Sequence, residues 1–362
     1  MPAIDYYFDI LLDKGGSDLH LSVGHPATIR LKGELVHIDR QPLDEPKIRH
    51  LMDELLEVSQ REHFHAYRDL DFAYGYEDKA RFRANYLYKT TGPGAVFRTI
   101  PSDILTVDDL GLPRAVVGLA ERRSGLVLVT GPTGSGKSTT LAAMLDHINR
   151  GRNGHILTIE DPVEFVHRPR KCQITHREVG IHTPSFADAI RSAGRENADV
   201  ILVGELRGRE TMKMALQLAS FGILIFATVH TNSAPATIDR FVNAFPASQQ
   251  PQIRGMLSDS LAGIVAQQLL RRADGSGRVA AQEILIGTSG VASAIREGKT
   301  TMLQSLIQGG GSVGMQSIDS VLSSLVAEGT VSPHDALEKA ADKNGFAKLP
   351  HVAPALQGAR GL

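Results

Sequence analysis

The chain has 362 residues, of which 42% are hydrophobic and 22% charged, so it can bury the cores of two domains and is not disordered. Its net charge of −1 gives no electrostatic reason to bind nucleic acid, and a single cysteine excludes an internal disulfide or a zinc site built from thiolates. No apolar run approaches the roughly 18–20 residues that span a bilayer. The first residues contain an early acid and no basic stretch, so we expect no signal peptide and a cytoplasmic protein.

Residues 1–100 are predicted to form a small mixed α+β domain. Apolar periodicity indicates a short helix over 5–13 and one long helix over 46–67. Alternation of apolar and polar residues predicts strands at 17–23, 27–31, 35–38, 70–74, 80–88 and 95–100, with a turn at 90–94. The polar, proline-bounded stretch 101–113 is predicted to be the interdomain linker.

From residue 114 to 346 the pattern alternates between helix and strand, which is typical of a parallel sheet with helices on both faces. Strands are predicted at 126–129, 155–159, 200–203, 223–228 and 279–286. Helices are predicted at 116–122, after Lys137, and at 185–195, 210–220, 234–242, 249–271, 289–297, 314–328 and 332–342. The tail, 347–362, is predicted to be disordered.

The most informative stretch follows the buried strand 126–129. It fits the pattern G-x-x-x-x-G-K-[ST], and apolar residues at helical spacing come after it. Glycines let the backbone turn its N–H groups toward phosphate oxygens. The positive N-terminal end of the helix that follows the loop also attracts phosphate. Lys137 is predicted to reach the β- and γ-phosphates and the Ser138 hydroxyl to bind Mg²⁺. The predicted nucleotide-binding residues are Gly131, Pro132, Thr133, Gly134, Ser135, Gly136, Lys137, Ser138 and Thr139.

Three further polar groups follow predicted strands, at the edge where α/β sheets bind ligands. Hydrolysis of a phosphoanhydride requires a metal holder, a group that orients water and a sensor near the γ-phosphate. Glu205 suits the Mg²⁺ shell, Glu164 suits the polarisation of water, and His230 suits the sensor. An isolated acid or histidine there is usually structural, but a phosphate loop on the same sheet favours the functional interpretation.

Two arginines lie on the predicted hairpin of the first domain. Arg83 occupies the polar face of strand 80–88, and Arg98 occupies the return strand, so we expect them to be neighbours. Two interpretations stay open: a solvated polar face, or an arginine cluster directed at the phosphates of another molecule.

Several stretches, in this order, resemble the secretion-ATPase superfamily and within it the type IV pilus retraction ATPases (the PilT/PilU type). The resemblance covers about residues 3–346 and includes KGGSDLHL at 14–21, GAVFRTIP at 94–101, ILTIEDPVEFVH at 156–167, VILVGE at 200–205, TVHTNSAPATIDR at 228–240 and GMQ at 314–316. It implies a RecA-like P-loop core, a smaller PAS-like N-terminal α+β domain, and ATP and Mg²⁺ as cofactors.

The same resemblance assigns roles to residues. Lys137 and Ser138 match the Walker A residues, Glu205 the Walker B glutamate, which holds Mg²⁺ through water, and Glu164 the catalytic glutamate. His230 matches the histidine box. Arg83 and Arg98 match catalytic arginines that a neighbouring subunit contributes.

At the level of the assembly, the resemblance implies a homohexameric motor that drives pilus retraction and twitching motility. The expected location is the cytoplasmic side of the inner membrane, at the pilus base. The expected partners are an inner-membrane platform protein and a paralogous retraction ATPase.

The chain departs from the family pattern at several places, one of which is Asn197-Ala198 where the family has Asp-Pro before the Walker B strand. Ile223 replaces a second histidine, and only Ile295, Arg296 and Glu297 of the retraction signature survive within 290–297. Such departures are typical of an accessory or divergent paralogue. They leave three alternatives open: a pilus-assembly or type II secretion ATPase, a nucleotide-sensing module with little turnover, and a nucleic-acid translocase. One cysteine cannot build the zinc module common in the first alternative, and the neutral charge disfavours the last.

Overall fold

The computed structural model describes residues 2–31, 33–77, 79–100 and 103–354. The chain divides into two compact units, Met1–Asp103 with Asp161–Val166, and Ile104–Glu160 with His167–Leu362. Each unit contains its own sheet, which confirms the predicted α/β fold class. Pro101 and Ser102, at the start of the predicted linker, lie outside the described residues. The part of the predicted linker from Ile104 onward belongs to the second unit.

The first unit contains a six-stranded antiparallel sheet of order β3-β2-β1-β6-β5-β4. Its strands are β1 Asp18–Ser22, β2 Thr28–Leu31, β3 Glu34–His37, β4 Asp69–Tyr76, β5 Ala80–Lys89 and β6 Gly92–Ile100. Its helices are α1 Asp5–Asp13, α2 Glu45–Asp53 and α3 Val58–Tyr67. The predicted alternation of β5 is confirmed, because Phe82, Ala84 and Tyr86 are all buried. The ring of Phe82 stacks on Phe8 of α1 at 4.3 Å.

Two predictions for this unit are wrong in detail. The single helix over 46–67 is two helices, since the backbone N–H of Glu57 bonds to the Gln60 side chain at 3.1 Å and starts α3 afresh. Leu55 and Leu56, between the helices, are buried, so the break is fixed by packing. The turn at 90–94 is shorter than predicted, because β6 begins at Gly92 and pairs with Lys89.

The second unit contains a seven-stranded sheet of order β13-β12-β7-β11-β10-β8-β9. All neighbours are parallel except β12 and β13. Its strands are β7 Gly125–Thr130, β8 Gly154–Glu160, β9 Cys172–Glu178, β10 Val200–Val203, β11 Leu224–Val229, β12 Leu261–Arg271 and β13 Arg278–Ile286. Its helices are α4 Arg114–Ala120, α5 Lys137–Gly151, α6 Phe186–Ala193, α7 Arg209–Ser220, α8 Ala234–Asn243, α9 Gln250–Ser260, α10 Ser289–Arg296, α11 Leu303–Gly309, α12 Ile318–Ala327, α13 Pro333–Lys339 and α14 Lys343–Phe346.

Both faces of this sheet are covered, as predicted. In β7, Leu126 and Leu128 pack into a cluster with α6 to α11, whereas Val127 and Val129 pack on the other face with α4 and α5. Burial on both faces explains why the parallel strands are nearly continuous apolar runs. It also fixes the carboxyl ends of β7, β11 and β10 side by side at one edge.

The longest wrong prediction is the helix over 249–271. Its first half is α9, but its second half is the strand β12, which pairs parallel with β7 and antiparallel with β13. The segment LAGIVAQQLLR is rich in helix-forming residues, and pairing on both edges overrides that preference. Strand β9 and helix α11 were not predicted from the sequence.

The C-terminal helices form a small cluster of their own. Val352 is buried there with Phe346 and Leu322, and Leu349 packs against the same cluster, so the predicted disorder does not begin at residue 347. The rest of the predicted tail, 355–362, lies outside the described residues. Across the described residues, no helix is both long and apolar enough to cross a bilayer.

Candidate functional site

The glycine-rich loop lies between the carboxyl end of β7 and the start of α5, as predicted. Gly131 has φ 146° and Gly136 has φ 84°, backbone conformations that other residues rarely adopt. Gly136 is the N-cap of α5, so Lys137 and Ser138 stand in the first turn of that helix. The first turn of any helix carries its positive end and N–H groups that have no acceptor within the helix, and both favour a bound anion.

The side chains of the loop fit a phosphate ligand. The Lys137 ammonium donates to the carbonyls of Gly131 and Pro132, at 3.0 Å each, and so lies over the loop. Among the described residues, the Ser135 hydroxyl is buried without a hydrogen-bond partner. A buried orphan hydroxyl in a loop with an ammonium and helix-end N–H groups matches a polyphosphate, which offers only acceptors.

The structure brings Glu205 and His230 together beside this loop. Glu205 follows β10 and His230 follows β11, and the two strands are parallel neighbours. The His230 Nε2 atom lies 3.5 Å from a carboxylate oxygen of Glu205, and the Arg207 guanidinium donates to the other oxygen at 2.8 Å. The Glu205 side chain is 19% exposed, so the carboxylate is partly shielded but accessible to a ligand.

Glu164 lies in the segment Asp161–Val166. This segment belongs to the first compact unit, although the residues that flank it in the sequence belong to the second. The residue is half-buried and belongs to neither a helix nor a strand. Within the second unit, the residues that lie together are therefore the loop, Glu205 and His230.

Arg83 and Arg98 are directly opposite each other on β5 and β6, as predicted. Arg98 donates to the buried Asp18 at 2.8 Å, and Arg83 lies 3.7 Å from Asp71. Burial disfavours the ionised form of Asp18, but hydrogen bonds from Ser17 and Arg98 outweigh it and lower the pKa of this carboxyl. The two acids offset the repulsion between facing guanidinium groups, so both arginines are held in place on one face.

The departure at Ile223 lies away from the nucleotide loop. Ile223 precedes β11 and His230 follows it, seven residue steps apart, so about 23 Å separates them at ~3.3 Å per residue. A histidine at this position would stand at the opposite edge of the sheet. The missing histidine therefore does not alter the group next to Glu205.

Helix α10 carries the remnant of the retraction signature. Its predicted packing face is confirmed, because Val291, Ala294 and Ile295 are buried. Arg296 is exposed and donates to Asp259 of α9 at 2.8 Å. Its neighbour Glu297 forms an ion pair with Lys299 at 2.7 Å, an interaction that lowers the pKa of Glu297.

Sequence reasoning missed two polar contacts that hold the loop. The Thr130 hydroxyl, at the end of β7, donates to the Thr231 carbonyl at 2.6 Å and so ties the loop to the residue after His230. On the other side, the Gln267 amide donates to the Ser135 carbonyl at 2.7 Å. Gln267 lies in the stretch that was predicted to be helical, so the sequence pattern gave no indication of this contact.

The fold and site define a P-loop protein with a RecA-like parallel sheet. A family model described as type II/IV secretion system protein matches residues 69–323. The type IV pilus retraction ATPase PilT of Pseudomonas aeruginosa is 48% identical over 92% of this chain and 96% of its own length. The twitching motility protein of Neisseria gonorrhoeae is 46% identical over 86% of this chain and 83% of its own length. A crystal structure of the pilus retraction motor PilT with bound ADP matches with a TM-score of 0.88 and 40% identity, over 95% of this chain and 98% of that one.

The chain belongs to the type II/IV secretion system protein family. The resemblance to type IV pilus retraction ATPases is confirmed by these relatives. The type IV pilus ATPase PilU of Pseudomonas aeruginosa is also similar, at 38% identity over 92% of this chain and 88% of its own length.

Proposed function

We propose that this protein is an ATP-hydrolysing motor that drives retraction of type IV pili. The main support is that the phosphate loop, Glu205 and His230 lie together at one edge of the sheet. The chain is also 48% identical to the type IV pilus retraction ATPase PilT of Pseudomonas aeruginosa. In this function the loop and Lys137 bind the β- and γ-phosphates of ATP, and chemistry at the γ-phosphate drives movement.

The residues present also suit Mg²⁺. The Ser138 hydroxyl, in the first turn of α5, would bind the ion directly, and Glu205 would bind it through water. Mg²⁺ would supply neutralisation of the charge that develops on the phosphates. Arg207 and His230 fix the Glu205 carboxylate from two sides, so its orientation is set before nucleotide arrives.

Glu164 is our candidate for the group that orients the attacking water. A carboxylate with this role contributes to the transition state more than to ground-state binding. Glu164→Gln should therefore keep ATP bound but lose turnover, measured by nucleotide titration and by phosphate release. Wild-type turnover in this variant would remove Glu164 from the mechanism.

We further propose that Arg83 and Arg98 act in trans within a homohexamer. They are held side by side by Asp18 and Asp71, and charge developing on a γ-phosphate calls for such guanidinium groups. Mixing Lys137→Ala subunits with Arg83→Ala/Arg98→Ala subunits should restore part of the ATPase activity, since some interfaces then contain an intact loop and intact arginines. No recovery in rings proven to contain both subunits would contradict the trans arrangement.

The proposed location is the cytoplasmic face of the inner membrane, at the pilus base. The proposed partners are the inner-membrane platform protein and a paralogous retraction ATPase. Support comes from the presence of both a PilT and a PilU protein among the relatives. Sedimentation of the tagged motor with the inner-membrane fraction of cells, lost when the platform gene is deleted, tests this placement.

A further inference from the structure

A network of buried amides lies behind the nucleotide loop. Gln267 of β12 and Gln282 of β13 face each other in the strand register, and each is 2% exposed. The Gln267 side-chain carbonyl accepts from the Thr140 hydroxyl at 2.8 Å and from the Gln282 amide at 2.7 Å. Its amide nitrogen donates to the backbone carbonyl of Ser135 at 2.7 Å.

This last contact fixes the orientation of a peptide group in the loop. In a planar trans peptide the carbonyl and the following N–H point in opposite directions. Because Gln267 holds the Ser135 carbonyl on the β12 side, the N–H of Gly136 is turned to the opposite side, away from β12. A peptide flanked by a glycine can otherwise rotate at low cost, since Gly136 tolerates both signs of φ.

We propose that Gln267 is a positioning residue for nucleotide binding, which keeps the Gly136 N–H directed at the phosphates by holding the Ser135 carbonyl away from them. The proposal rests on the proposed binding of ATP at this loop. Without the contact, the peptide is free to present its carbonyl oxygen to the phosphates, where it would repel them instead of donating a hydrogen bond.

The neighbouring groups explain why a glutamine serves here. Thr140 and Gln282 both donate to the side-chain oxygen, so the nitrogen is the end that faces Ser135. The position of Gln282 is itself supported by Gln316, which donates to its backbone carbonyl at 2.7 Å. The network thus connects the GMQ stretch to the loop through two strands.

The glycines of the loop are also matched to Gln267. A Cβ atom at Gly131 would lie 2.2 Å from the Gln267 backbone oxygen, and one at Gly136 would lie 2.9 Å from its amide nitrogen. The loop can approach β12 closely enough for the hydrogen bond only because these two positions have no side chain.

The test compares Gln267→Glu, Gln267→Met and the control Gln268→Glu, in the full-length protein. Gln268 is the next residue of β12, and alternation places its side chain on the other face. ADP affinity is measured by titration with a fluorescent ADP analogue at pH 6 and pH 9, and each value is divided by the wild-type value at that pH. Circular dichroism at both pH values establishes which variants are folded.

Position 267 is 2% exposed, and burial raises the pKa of a carboxyl, so Gln267→Glu should be protonated at pH 6 and ionised at pH 9. The protonated variant can still donate to Ser135 and should bind ADP well, whereas the ionised variant should bind ADP about 10- to 100-fold more weakly. The Met variant, which has no donor, should be weaker by a similar factor at both pH values. Gln268→Glu should match the wild type throughout. A loss confined to high pH is not expected of a general packing defect.

Wild-type affinity at pH 9 in either folded Gln267 variant would overturn the positioning role while leaving ATP binding intact. If the Glu variant fails to fold, the Met variant gives the answer alone. Failure of the wild-type protein to bind ADP would overturn the proposed function, and with it the positioning role.

Discussion

His167, which follows the acidic segment after β8, provides a pH-dependent test of the second unit. It is 4% exposed, and its Nδ1 is buried without a hydrogen-bond partner in the part of the chain that the structure describes. Burial, reinforced by the nearby His176 of β9, lowers its pKa from 6.5 to about 4, although Asp146 of α5 opposes the shift. His167 is therefore neutral in the folded protein throughout the physiological range.

The consequence for stability follows from linkage. Above pH 6.5 His167 is neutral in both the folded and unfolded states, so its contribution is constant. As the pH falls from 6.5 toward 4, only the unfolded chain takes up a proton, and stability is lost. At pH 5.5 the free energy of unfolding is lower by about 1.4 kcal/mol, because in the unfolded chain the protonated form of this histidine then outnumbers the neutral form roughly tenfold. That corresponds to a fall in Tm of roughly 3–6 °C for a domain of this size.

The assay is thermal unfolding at pH 7.5 and pH 5.5 for the wild type, His167→Leu and His334→Leu. The chain has 14 histidines, so the wild-type shift alone does not identify the residue responsible. His167→Leu should remove roughly 3–6 °C of the pH-dependent shift. His334, whose side chain is 74% exposed, is the matched control and should leave the shift unchanged. Equal pH dependence in the wild type and His167→Leu would refute the assignment of a buried neutral histidine.

Three further predictions follow from the contacts. Lys137→Ala should lose both ATP affinity and turnover, since we propose that the ammonium binds the phosphates already in the ground state; unchanged affinity in a binding titration would contradict this. Glu283 is buried and accepts from the first N–H groups of α8 and α12, so Glu283→Ala should cost about 2–4 kcal/mol in a denaturant titration, and a change under 1 kcal/mol would contradict the double cap. Arg296→Ala/Glu297→Ala should keep ATPase activity and ring assembly but abolish retraction in cells at equal expression, whereas normal retraction would leave α10 a purely structural element.

Much of the fold was predictable because its strands are strongly patterned. The buried runs of β7, β10 and β11 and the alternation of β5 are visible in the sequence within two residues of their observed bounds. The strand β12 was not, because its Ala, Gln and Leu residues favour a helix and only pairing with β7 and β13 makes it a strand. The prediction of one long helix over 46–67 was wrong for a different reason. A local cap, in which the backbone N–H of Glu57 donates to the Gln60 side chain, breaks an otherwise helical pattern.

The candidate site likewise contains features that the sequence predicts and features that it does not. The loop is encoded by a contiguous motif, and Glu205 and His230 follow from the rule that parallel strands end at one edge. The support of the loop by Gln267 depends on a partner 132 residues away along the chain from Ser135, and no local pattern encodes it. Likewise, Asp18 and Arg98 are 80 residues apart, so the arginine face was visible from the sequence but its acidic anchor was not.

The central claim is that ATP hydrolysis at this loop retracts pili. The most direct measurement is the rate of pilus retraction in living cells that lack this gene and are complemented with the wild type or Glu164→Gln at equal expression. We predict that the wild type restores retraction and that Glu164→Gln, although it binds ATP and assembles, does not. Normal retraction in the uncomplemented strain, or in cells that carry Glu164→Gln alone, would contradict the account.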